Sequence, residues 1–121
     1  MTGTPTANDV VLLLAQLGRE LDAKQGEISR LDEEAVRTRA RYEVTLSRAF
    51  LQAEGPMDVR KHQSIIDAAQ LKLDAEIADQ KLRAARESIR VLRDRLDIGR
   101  SLNSAIKAEW SAQPAGQAMA S

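Results

Sequence analysis

Apolar residues recur at helical spacing along almost the whole chain. In the first half Leu14, Leu21, Ile28, Ala35, Tyr42 and Ala49 fall seven apart, and Leu17 and Leu31 sit three residues after members of that row. These are the a and d positions of a heptad, the spacing that holds one helix face against a neighbour. Lys24, Thr38, Thr45 and Gln52 occupy d and weaken the seam, while Leu46 and Ala53 take over one position later. A straight helix of 3.6 residues per turn drifts in this way against a seven-residue repeat. The second half is more regular. Ala68, Ala75, Leu82, Ile89, Leu96, Asn103 and Trp110 form one row, and Leu71, Ala78, Ala85, Leu92, Gly99 and Ile106 form its partner. A further apolar row, Ile77, Ala84, Val91, Ile98 and Ala105, runs beside them. One hairpin needs one seam, so the extra row predicts a second neighbour and hence self-association. No alternation of strand type appears.

Two helices follow from the punctuation. Residues 1–7 carry Gly3 and Pro5 and read as a disordered tail. Thr6 followed by Asp9 is a capping box with a shorter acid, which starts a helix near Asn8. That helix is predicted over 8–53. Glu54-Gly-Pro-Met-Asp58 is the one strong break: Gly suits the left-handed backbone past a helix end, Pro cannot continue a helix, and Asp58 can cap the next one. The turn is thus placed at 54–58 and the second helix at 58–110. The in-phase spacing across Gly99 favours an unbroken helix; the alternative ends it at Gly99 and leaves Ser101 to Trp110 as a short third one. Gly18 and Gly26 each cost the first helix about 1 kcal/mol relative to Ala. The tail 111–121 has Pro, Gly and small residues and reads as disordered. The expected fold is all-α: a long antiparallel helical hairpin (coiled coil) that self-associates, most simply into a four-helix bundle. The seam is expected from Leu14, Leu21, Ile28, Tyr42, Leu71, Leu82, Ile89, Leu92, Leu96, Ile106 and Trp110.

Composition sharpens this picture. Charged residues make up 30% and aromatics 2%, and the 19 alanines and 14 leucines dominate the apolar set. Such a chain favours helices and lacks the bulky walls of a deep pocket. Cysteine is absent, which removes disulfides, thiolate metal sites and thiol nucleophiles. The apolar run from Val10 to Ala15 is far too short for a membrane span and has no basic residue before it, so a cytoplasmic protein without membrane contact is expected.

Catalytic chemistry finds no foothold. His62 is the one histidine and has no second imidazole or thiolate to join it as a metal ligand. The carboxylates alternate with bases at helical spacing, as in Glu20 with Lys24, Glu33 with Arg37 and Asp79 with Arg83, the pattern of a solvated face. No phosphate loop and no metalloprotease motif is present. Neither enzyme activity nor a cofactor or metal is expected.

The feature that stands out is a basic stripe. Between Lys81 and Lys107 there are eight basic residues against three acids, in a chain whose formal net charge is zero. Arg86, Arg93, Arg100 and Lys107 fall at sevens beside the seam, and Arg83 and Arg90 lie on the adjoining row. A row of arginine forks suits a phosphate backbone, so these six residues are the candidate nucleic-acid contacts. The competing reading pairs them with acids of the first helix, Glu20, Glu27 or Glu34, where nine acids stand against seven bases through Pro56. Aromatic interleaving is missing, which disfavours base stacking. Trp110 either caps the end of the bundle or anchors a partner. Asn103, inside the seam, suits a register-fixing role.

Several stretches carry a family resemblance: Tyr42-Glu-Val, Ser47-Arg-Ala-Phe-Leu-Gln-Ala-Glu-Gly55, Arg60-Lys61, Leu82-Arg-Ala-Ala-Arg86, and Arg95-Leu-Asp-Ile-Gly-Arg-Ser-Leu-Asn-Ser-Ala-Ile-Lys-Ala-Glu-Trp110. Together, over about residues 15–110, the chain resembles a family of small helical proteins encoded by phages and prophages, especially of actinobacteria. Pro56 departs from the small polar residue expected after Gly55. The resemblance implies a phage or prophage origin, a bacterial host cytoplasm and proximity to replication and recombination genes. It supplies no settled activity and no catalytic residues. The expectation is a non-enzymatic accessory or scaffold protein tied to DNA recombination or replication, with itself, a phage recombination or replication protein, and DNA as partners. Two other readings stay open: a virion structural or assembly protein, and a takeover factor that captures a host protein.

Overall fold

The computed structural model describes residues 6–112. It is an all-α helical hairpin of two helices, α1 (Ala7–Gln52) and α2 (Met57–Ser111), with no strand among the described residues. Nearly all of the expected tails, 1–7 and 111–121, lies outside the described residues; of the remainder, Ala7 and Ser111 are helical. α2 runs through Gly99 without a break, so there is no separate third helix. The chain divides into two compact units, Gln25–Glu87 and Met1–Lys24 with Ser88–Ser121.

The unit Gln25–Glu87 contains the turn. Ala53 N–H still bonds the Ala49 carbonyl, and the Pro56 carbonyl already accepts from Arg60 N–H, so only a few residues separate the helices. Gly55 adopts φ of +106°, in the half of the map that side chains avoid. Asp58 does not cap α2: the Pro56 carbonyl opens the ladder, which puts Asp58 inside the first turn, where its charge still favours the helix N-terminus. The end of α1 has no basic residue of its own in its last turn. Arg60 of α2 supplies one, donating from Nη2 to the Phe50 carbonyl at 3.2 Å with its guanidinium 4.7 Å from the Phe50 ring centroid. The core of this unit joins Leu31 and Ala35 of α1 to Ala78, Leu82 and Ala85 of α2, with Ile28 packed alongside. Alanines at three of those positions let the backbones approach closely around the leucines. Two polar residues in the seam are satisfied locally: the Thr38 hydroxyl donates to the Glu34 and Ala35 carbonyls, and buried Ser64 donates to the Lys61 carbonyl at 2.7 Å.

The other unit pairs the start of α1 with the end of α2. Leu17 packs with Leu92 and Leu96, flanked by Leu14 and Leu21. Gly99 faces Leu14 so closely that a Cβ there would lie 2.7 Å from Leu14 Cδ2. Glycine is thus the residue that lets this leucine seat against α2. Val10, three residues into α1, is the most deeply buried large side chain. At the end of α2 the seam runs out. Trp110, in the last turn of α2, is 68% exposed. It is therefore not buried in the seam of the hairpin, where the heptad row places it.

The start of α1 is a reciprocal capping box: Asp9 N–H donates to Thr6 Oγ1 at 3.1 Å, and Thr6 N–H donates to Asp9 Oδ2 at 3.0 Å. The Thr6 backbone N–H, and secondarily its hydroxyl, hold the Asp9 carboxyl below its ordinary value. A depressed folded-state value stabilises the fold above the unfolded value and ceases to do so as pH falls through the folded one. The first turn of α1 should therefore fray on acidification through and below the usual carboxylate range. Amide exchange at Asp9 and Val10 followed against pH should show this, and Asp9→Ala should remove the dependence.

Gly18 and Gly26 are helical glycines with open space where a Cβ would be. Gly18→Ala and Gly26→Ala should each stabilise the chain by about 1 kcal/mol, read as a raised denaturation midpoint, because alanine removes unfolded-state freedom without a clash.

Candidate nucleic-acid interface

The heptad that forms the seam also fixes what its flanks carry. On α2 the row one position past the leucine–alanine d row, and the row beside it, lie on one side of the helix. This is where Arg83, Arg86, Arg90, Arg93, Arg100 and Lys107 fall, and all six are exposed.

In the unit Gln25–Glu87 the flank is neutralised across the hairpin. Arg39 of α1 meets Asp79 at 2.5 Å, and Arg86 meets Asp32 at 3.8 Å. The hydrogen bond and charge of Asp79 raise Arg39 above its ordinary value. Sequence spacing assigns Asp79 to Arg83; the carboxylate instead turns to Arg39 across the hairpin. Likewise Arg86 is met by Asp32 rather than by Glu20, Glu27 or Glu34. Glu33 does pair with Arg37, at 2.7 Å.

In the other unit the flank is different. Arg93, Arg100 and Lys107 stand seven apart, so about 10 Å separates one from the next along the axis. Counted in sevens back from Asp32, the α1 flank in this unit carries Gly18 and Val11, neither of them charged, with the carboxylate of Asp22 on the row beside it. Arg100 has Asp97 of its own helix at 3.6 Å, a pair in which both side chains are about 70% exposed. Arg93 and Lys107 have no ion pair or hydrogen bond among the described residues. Arg90 is exposed on the adjoining row. Arg93, Arg100 and Lys107 thus stand exposed in a line, with no cross-helix ion pair to any of the three among the described residues.

Of the seam residues, Leu82, Ile89, Leu92 and Leu96 are buried, and Leu14, Leu21, Ile28, Tyr42, Leu71 and Ile106 are half-buried. Asn103 is half-buried and His62 exposed. No group of three or more His, Cys, Asp or Glu that could hold a metal occurs among the described residues. Nor is any described helix long and apolar enough to cross a membrane. An open groove of about 650 Å³ lies beside the turn among Tyr42, Leu46, Phe50 and Ile65, with Lys61 and Lys72 also lining it. The sequence pattern missed it because Phe50 lies outside both heptad rows. Compared with known proteins, the chain matches no family model, no curated protein and no solved structure.

Proposed function

We propose that this chain is a non-catalytic scaffold that self-associates and contacts the phosphate backbone of nucleic acid through the basic flank of α2. The observation that carries the reading is the line of Arg93, Arg100 and Lys107, exposed and without a cross-helix ion pair among the described residues. Phosphates neutralised by such a line bring sequence-independent, salt-dependent binding. The wider setting, a phage protein in a recombination or replication assembly in the host cytoplasm, rests on the sequence resemblance alone.

Binding to single- and double-stranded DNA across a salt series tests the reading. Micromolar or tighter affinity is expected, falling steeply with salt. Arg93→Glu/Arg100→Glu/Lys107→Glu should abolish it, and neutralising the three singly should reduce the salt slope by about one unit each. Arg48→Glu, on α1, should leave it unchanged. Absence of binding at low salt would overturn the proposal.

A second reading has one observation in its favour. Trp110 is exposed at the end of α2, where a large aromatic suits capture of a protein partner. A host or phage protein recovered with the chain and lost on Trp110→Ala would support that reading.

A further inference from the structure

The outer face of α2 in the unit Gln25–Glu87 carries a second heptad seam. Val59, Ile66, Leu73, Ile77 and Ala84 fall on it, with Gln63, Gln70 and Gln80 at the intervening positions, in the same alternation of three and four that builds the inner seam. Nine charged residues lie between Val59 and Ala84, and none occupies any of these eight positions. The face points almost directly away from α1, and Val59, Ile66, Leu73 and Ile77 are 45 to 67% exposed. Glu87, at the next step of the same row, ends it. A stripe about 38 Å long without a single charge, on a helix otherwise dense in charge, has the pattern of a covered surface.

We propose that the occupant is a second copy of this chain, docked through this face with the two α2 helices parallel and in register. The proposal rests on the self-association named above and adds its surface and orientation. The edges of the face decide between orientations. One edge carries His62, Ala69 and Glu76, the other Asp67, Asp74 and Lys81. In a parallel pair each residue of the first edge meets the residue five further along on the second edge of the other copy. Glu76 then meets Lys81, and His62 meets Asp67, with no like charges opposed. An antiparallel pair with the same overlap would set Asp67 beside Asp74 of the other copy, a repulsive contact on both sides of the axis. Parallel pairing also stacks Gln70 on Gln70. The Gln63 and Gln70 amides currently donate to Asp67 at 2.8 Å and Asp74 at 3.1 Å, so they are held beside the face by their own helix. A polar pair within an apolar seam fixes register.

The natural chain has no cysteine, so a single introduced one reports orientation directly. Sedimentation equilibrium of the full chain should give a dimer. Ile66→Glu/Leu73→Glu should give a monomer of unchanged helicity by circular dichroism. Under mild oxidation Gln63→Cys and Gln80→Cys, tested separately, should each form a disulfide-linked dimer. Lys81→Glu should weaken the dimer about tenfold, and adding Glu76→Lys should restore it. A wild-type monomer throughout the micromolar range would overturn both the proposal and the self-association beneath it. A dimer in which Gln63→Cys and Gln80→Cys fail to link while Gln70→Cys links would overturn the parallel arrangement alone. So would a dimer that survives Ile66→Glu/Leu73→Glu, since it must use another surface. Nucleic-acid binding by the flank variants is scored independently, because Arg93, Arg100 and Lys107 lie outside this face.

Discussion

Leu82→Ala is expected to lower the unfolding free energy by about 3 kcal/mol, the middle of the range for truncating a buried leucine. Leu82 is 7% exposed and packs in one cluster with Leu31, Ala35, Ala78 and Ala85. Its neighbours on α2 are alanines, and an alanine cannot rotate a longer side chain into the space left behind. The cavity therefore persists, and the loss includes both the transfer of the removed atoms and the void. Ile98→Ala is the contrast. That side chain is 68% exposed, so its removal should change stability by no more than about 0.5 kcal/mol. Urea denaturation followed by circular dichroism measures both, and equal effects would contradict the seam described here.

Ala78→Leu should also destabilise, by about 2 kcal/mol, although it adds apolar atoms. Ala78 shares its cluster with Ala35, so the two alanines lie abreast in the seam. A leucine there has no hole to enter, so either its rotamer is strained or the helices separate and loosen Leu31 and Leu82. Leu31→Ala in the same chain should recover part of the loss by opening room one turn away. Two single effects that simply add would show that positions 31 and 78 do not share a packing space.

Most of the fold was legible from the α2 repeat, because burial there follows the heptad from Ala68 through Gly99 with small residues that fit one spacing only. The capping box at Thr6 and Asp9 and the continuity across Gly99 were legible for the same reason: each is a local rule with a local cause. Relations between the helices were harder to read. Spacing within one helix offers Asp79 to Arg83, and only the other helix supplies Arg39 as its partner. Trp110 belongs to the seam row by count, yet it is 68% exposed at the end of α2. Val10 was visible as the residue seven before Leu17, but it sat in an apolar run that hid its phase. The exposed line of Arg93, Arg100 and Lys107 was legible as a stripe. That it makes no cross-helix ion pair among the described residues depends on α1, which no pattern along α2 could indicate.

The position of Trp110 has a practical consequence for spectroscopy. It is the sole indole in the chain, and it stands in water at the end of α2 rather than in the core. Its emission should be that of a solvated indole whether the hairpin is folded or not, so fluorescence is nearly blind to unfolding here. The same placement makes it a quiet-background probe of that end of the molecule. A blue shift on mixing with another macromolecule would report an apolar surface closing over Trp110, with no label to attach.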